Sequence, residues 1–190
     1  MGTPEPPEDN AAPDETGWLL LIYRVPSEPT RLRAAVWRRL KSLGAIYLQN
    51  SAAALPAGPA AERALRKLRH EILEMQGTAV LMNCSVLAGQ QDVLGAFEAA
   101  RDDEYDEILD KCRDFHAQLE KEYAAEHFTY AELEENEEDL IKLRNWFAKV
   151  ADRDVFGAPR KAATAEELSN CEQALEKYAN RVFAEEAESR

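Results

Sequence analysis

At 190 residues, 45% hydrophobic and 31% charged, the chain suits one ordinary domain or a small domain with a helical extension, which argues against wholesale disorder. The net charge of −13 is unevenly spread: residues 18–76 carry 10 basic and 4 acidic side chains, whereas residues 90–140 carry 4 basic and 18 acidic. The total argues against a nucleic-acid partner, but the net +6 of the earlier segment does not.

Residues 1–17 are rich in Pro, Glu, Asp, Ala and Asn and hold no large apolar anchor, so they read as a disordered acidic tail. They lack the positive start and apolar run of a signal peptide, and no later run is long enough to span a bilayer, so no membrane association and a cytoplasmic location are expected. Residues 18–89 read as a ferredoxin-like α/β domain. Trp18 to Val25 is a short run of strand formers closed by Pro26. Thr30 is a candidate N-cap for a helix in which Leu32, Val36, Leu40 and Leu43 recur at helical spacing, with Gly44 as its stop. Ala45 to Leu55 suggests two short strands joined at Asn50-Ser51. A second helix follows Pro59, with Leu65, Leu68, Ile72 and Met75 on its apolar side. Gly77 ends it, and Thr78 to Val86 returns as a strand. The order βαββαβ predicts an α+β split-βαβ sandwich, an antiparallel sheet with both helices on one face.

From Gln90 the apolar period becomes helical throughout, and residues 90–190 read as an acidic antiparallel three-helix extension. The first helix carries Tyr105, Ile108, Cys112, Phe115, Leu119 and Tyr123 and breaks near His127-Phe128. Thr129 and Glu132 form a capping box opening the second, which runs through Leu133, Leu140, Leu143, Phe147 and Val150 towards Gly157. Thr164 and Glu167 suggest a second capping box before Leu168, Cys171, Leu175, Tyr178 and Val182. The three cysteines, Cys84, Cys112 and Cys171, form no C-x-x-C pair and are expected to be buried reduced thiols.

Three stretches carry a family resemblance: WLLLIYRVPSEPTRLRAAVWRRLKSLGAIYLQNSAAALP from Trp18, FTYAELEENEEDLIKLRNWFAKVADRDVFGAP from Phe128, and CEQALEKYANRVF from Cys171. Together they resemble the N-terminal domain of the ChrB chromate-resistance proteins. That likeness implies a chromate-responsive transcriptional regulator of an efflux operon, with DNA and chromate or another oxyanion as partners. The first half also resembles the Cas2-like module of PaaX-type repressors, which implies a homodimer. Full-length chromate regulators carry a further C-terminal domain; with this sequence ending at Arg190, binding without sensing is one expectation.

The residues themselves offer three constellations. Arg31, Arg38, Lys41, Arg63, Arg66 and Lys67, with Arg33 and Arg69 at the edges, fall on outward faces of the two early helices. Fixed cations there suit phosphates, and Arg can engage two oxygens at once. A solvated face, or a dock for the protein's own acidic helices, is the structural alternative. Glu132, Asn136 and Asp139 lie on or beside the later apolar seam, where Asn136 takes a position that calls for a hydrophobe; His116 is placed to approach Asp139 across a hairpin. The set suggests a register-setting polar contact or, less directly, a metal site, although Glu-x-x-His is absent. Arg24 and Arg153 are candidate oxyanion ligands; Arg153 is equally suited to neutralise carboxylates and cap a helix C-terminus.

No G-x-S-x-G, glycine-rich phosphate loop or helix-turn-helix is present, so the residues argue for neither catalysis, cofactor binding nor base reading. The leading expectation is a DNA-associated regulatory protein. Its competitors are a protein-interaction or small-ligand-binding module, and a metal-dependent enzyme built on the seam carboxylates.

Overall fold

A computed structural model describes residues 17–188, so the acidic tail expected before Gly17 lies outside the described residues. The chain divides into two compact units, passing from one to the other at Val93–Leu94. No described helix is long and apolar enough to cross a membrane.

The first unit contains β1 (Trp18–Arg24), α1 (Thr30–Leu43), β2 (Ile46–Gln49), β3 (Ala52–Pro56), α2 (Pro59–Glu74) and β4 (Thr78–Cys84). Strand order is β2-β3-β1-β4, antiparallel throughout, which is the expected ferredoxin-like sandwich. Alternation decides which residues of β1 enter the core. Leu19 and Leu21 face Leu55 and Ala53 of β3 on one side and Asn83 and Leu81 of β4 on the other. Both pack with Val36 and Leu40 of α1 and with Leu65, Leu68 and Ile72 of α2 in one buried cluster, placing the two helices on the same face. Each such side chain contributes about 1.5–3 kcal/mol of apolar burial.

Two glycines act at helix ends for different reasons. Gly44, at φ 77°, provides the left-handed cap of α1, as its place in the sequence suggested. Gly77 is required by crowding: a Cβ there would lie 2.5 Å from the Arg24 carbonyl oxygen. Thr30, expected to cap α1, is instead its first helical residue. Pro29 occupies the cap, and no side chain bonds the free amides. Its fixed φ suits an entry into helix without a side-chain acceptor.

The second unit is built from α3 (Gln90–Ala125), α4 (Tyr130–Arg153) and α5 (Arg160–Glu188). Tyr105, Ile108, Cys112, Phe115 and Leu119 of α3 pack with Leu133, Leu140, Leu143 and Val150 of α4 and with Leu168, Cys171, Leu175, Tyr178 and Val182 of α5. The predicted seams are thus the core, except that Tyr123 is 41% exposed while neighbouring Glu122 is buried. Thr129 caps α4, its Oγ1 accepting from the Glu132 amide at 3.3 Å.

The second capping box is overturned. Helix α5 starts at Arg160, one turn before Thr164, and the buried Thr164 hydroxyl donates to the Arg160 carbonyl at 2.9 Å. Pro159 favours a helix start. The acceptor for the Arg160 amide comes from another helix, Asp102 Oδ1 on α3 at 2.8 Å. A tertiary cap therefore displaces the local one.

Candidate functional site

The first unit carries its charge on the helical layer. Arg31, Arg33, Arg38 and Lys41 of α1 and Arg63, Arg66, Lys67 and Arg69 of α2 are all exposed. Helical spacing explains this: the apolar positions Val36, Leu40, Leu65, Leu68 and Ile72 are drawn to the sheet, and the cations between them are turned outward. Arg66 pairs with Glu62 one turn earlier at 2.7 Å. Arg69 Nε donates to the Ala79 carbonyl of edge strand β4 at 3.0 Å, so it partly closes that edge. Lys41 lies over the Trp37 ring, 5.6 Å from its centroid. Arg31, Arg33, Arg38, Arg63 and Lys67 make no ion pair among the described residues and present their charge to solvent.

Arg24 ends β1 at the rim of a cleft of about 520 Å³, which Arg33, Trp37, Tyr47, Asn50 and Ser51 also line. The Tyr23 and Tyr47 hydroxyls meet there at 3.1 Å. Burial, then that hydrogen bond, pushes the Tyr47 phenol well above its ordinary pKa, so it stays neutral and leaves the two guanidinium groups to set the sign of the cleft. Arg153 belongs to the second unit and is differently engaged. Its guanidinium pairs with Glu104 and donates to the Lys149 carbonyl at 3.0 Å, near the end of α4. The two structural roles foreseen for Arg153, neutralising a carboxylate and satisfying a carbonyl at the helix end, are both formed through its terminal nitrogens.

Around that pair lies a buried polar network the sequence did not announce. Arg101 Nε sits 2.9 Å from Glu104 Oε2, with Arg101 only 3% exposed. Burial holds the Arg101 guanidinium below its ordinary pKa, against the pull of Glu104. Tyr105 Oη donates to Asp154 Oδ2 at 3.1 Å, and Asp154 also accepts from the Gly157 and Ala158 amides at 3.0 Å. Asp154 thereby shapes the turn from α4 into α5.

On the seam, Glu132, Asn136 and Asp139 line one groove of about 530 Å³ with Lys111, Lys142 and Trp146. Asn136 is buried, and its amide nitrogen donates to the Glu132 carbonyl within its own helix at 2.7 Å. Asp139 accepts from Lys142 at 2.8 Å. The fourth proposed member, His116, is not among them. Its Nε2 instead lies 3.2 Å from Glu167 Oε1 and 3.4 Å from Cys171 Sγ on α5. His116 stands one turn after Cys112, which faces α5, and so points the same way. The expected approach of His116 to Asp139 is therefore corrected: the imidazole meets Glu167 and Cys171 of α5 instead.

All three cysteines are free thiols; Cys112 and Cys171 are fully buried, whereas Cys84 is half-buried. The Cys171 thiol is held far above its ordinary pKa by its hydrogen bond with Cys112, by burial and by the Glu167 and Glu172 carboxylates. Two spacings, Cys112 to His116 and Glu167 to Cys171, are each i,i+4 and visible in the sequence; that the two pairs meet is visible only in the fold.

Protein ChrB of Cupriavidus metallidurans is 27% identical over 161 residues, which cover 84% of this chain and 46% of that protein, so the chain spans about half the length of its curated relative. The family described as "Protein ChrB, N-terminal" matches residues 33–189, including α1 from Arg33 onward, all of α2, the seam and the whole of the described α5. Since that match takes in most of the chain and both compact units, the protein belongs to the ChrB N-terminal family.

Proposed function

We propose that this protein serves chromate resistance as a DNA-associated regulatory module, whose helical layer engages phosphates. One observation carries the reading: nine Arg and Lys residues, Arg39 included, are exposed on α1 and α2, and only Arg66 among them is held in an ion pair among the described residues. A face of unpaired Arg and Lys releases counterions when it meets a phosphate backbone, giving affinity without base reading. Some acidic side chains of the second unit pair with bases of that unit, such as Asp139 with Lys142 and Glu172 with Arg144. The reading includes a homodimer, for which sedimentation of the pure protein is the direct measurement.

Binding of a labelled promoter duplex, followed by anisotropy across a salt series, tests the phosphate role. Affinity is expected to fall steeply with salt. Replacing Arg31, Arg38, Arg63 and Lys67 with alanine should reduce the logarithmic salt slope by about one unit per cation and weaken all duplexes alike. Undetectable binding at low salt would overturn the regulatory reading in favour of an interaction module.

A second reading, oxyanion binding, is favoured by the cleft shared by Arg24 and Arg33. Planar guanidinium groups offer paired donors to a tetrahedral oxyanion. Calorimetric titration with sulfate or chromate is expected to show saturable binding that Arg24→Ala weakens about tenfold, the loss of one charge-assisted contact worth ~1.5 kcal/mol. Binding unchanged in that variant would remove the cleft from consideration.

A further inference from the structure

The pairing of α3 with α5 brings together a donor set that neither the phosphate face nor the oxyanion cleft uses. Helix α3 supplies Cys112 and His116, one turn apart, and α5 supplies Glu167 and Cys171, also one turn apart. His116 Nε2, a Glu167 carboxylate oxygen and Cys171 Sγ all lie within 4.8 Å of one another. Two of the separations are specific: 3.2 Å from Nε2 to Oε1, and 3.4 Å from Nε2 to Sγ. Tetrahedral coordination with bonds of about 2.0–2.3 Å places neighbouring ligand atoms about 3.3–3.8 Å apart. The two separations from His116 are therefore close to tetrahedral edges, and the third, between Glu167 and Cys171, is within 4.8 Å.

We propose that His116, Glu167 and Cys171 form a binding site for a divalent transition-metal ion of the zinc class. The ligand types select the metal. One thiolate and one imidazole disfavour magnesium and calcium, which take oxygen, while a single carboxylate completes a mixed set suited to zinc. Three protein ligands leave a fourth position. The His116 and Glu167 side chains are 32% and 30% exposed, so water reaches it from solvent, whereas Cys171 anchors the site from the core. The Cys112 thiol, hydrogen-bonded with Cys171, is a second-layer partner for the ligand sulfur. Binding the ion releases the Cys171 proton and ties α3 to α5. The competing explanation is a His–Glu ion pair beside a bystander thiol, which has no reason to hold a metal.

The full chain, chelator-treated and kept under a non-thiol reductant, is titrated with cobalt(II) and then with zinc in competition with a chromophoric chelator. The expected result is one cobalt per chain with a sulfur-to-metal charge-transfer band and the visible spectrum of a tetrahedral ion, displaced by zinc, and a melting temperature that rises with zinc. Cys171→Ser should abolish the charge-transfer band, and Glu167→Gln, at a half-exposed position where folding is not at risk, should weaken zinc at least tenfold. Cys84→Ser, in the other unit, should leave both unchanged. Absence of a charge-transfer band, its persistence in Cys171→Ser, or equal zinc affinity in Glu167→Gln with circular dichroism unaltered would each overturn the site.

Discussion

Glu104→Ala is expected to destabilise the helical unit by about 3–5 kcal/mol, the range for removing one partner from a buried ion pair. Glu104 is the common anion of two guanidinium groups: Arg101, itself 3% exposed, and Arg153, whose side chain is 20% exposed. Arg153 reaches water when released, but Arg101 does not, and repulsion between the two already works against the Arg101 charge. Without Glu104 the buried cation loses its nearest carboxylate; Asp154 supports it less strongly, and the Phe97 ring beneath it, 4.9 Å from Arg101 Cζ, cannot replace a carboxylate. Urea unfolding followed by far-ultraviolet circular dichroism measures the loss as a lower midpoint. The double variant Arg101→Met, Glu104→Leu should recover much of it, because the buried cation is then removed together with its nearest carboxylate. A loss under about 1 kcal/mol in the single variant would place the pair with exposed salt bridges instead.

Tyr178→Ala is expected to cost about 3–5 kcal/mol, as large aromatic deletions from a packed core do. Tyr178 is fully buried. Its ring meets Tyr123 edge-on at 5.6 Å and Phe128 at 5.9 Å, and its hydroxyl donates to the His127 carbonyl. It therefore holds the α3–α4 corner against α5. Tyr178→Phe keeps the ring and should cost about 1 kcal/mol, the net worth of one hydrogen bond.

The same residue shapes the alkaline limb of stability. Burial, with the nearby Glu122 and Glu132 carboxylates, pushes the Tyr178 phenol up to about 12. The folded protein thus keeps a proton that an unfolded chain loses near pH ~10. Its contribution is complete below that pH and is lost as pH rises through the folded value. Burial and Asp154 displace Tyr105 in the same direction, so Tyr178→Phe should flatten the alkaline decline only in part. Melting temperatures of both proteins across that range check the sign; a wild-type curve flat through the range would contradict it.

Much of this protein was legible from periodicity alone. Helical spacing from Val36 to Ile72 and the 3/4 seams from Tyr105 to Val182 are local patterns tied to the helical period, while the apolar run from Trp18 marked a strand without saying which of its residues face the core. Because burial claims the apolar positions, the same patterns also fix where Arg31, Arg38, Arg63 and Lys67 must point. The basic layer was therefore readable from the start, as were the termini at Gly44 and Thr129.

What the sequence could not decide were meetings between side chains far apart in the chain. Thr164 and Glu167 satisfied a local capping rule, yet Asp102, 58 residues before Arg160, supplied the acceptor for the Arg160 amide where the helix starts. His116 was placed to approach Asp139, and only the packing of α3 on α5 chose Glu167 instead. Glu104 looked like one acid among many until Arg101 and Arg153 closed around it. A helix's own period determines which face is buried; which neighbour that face meets, and in what register, is set by tertiary packing.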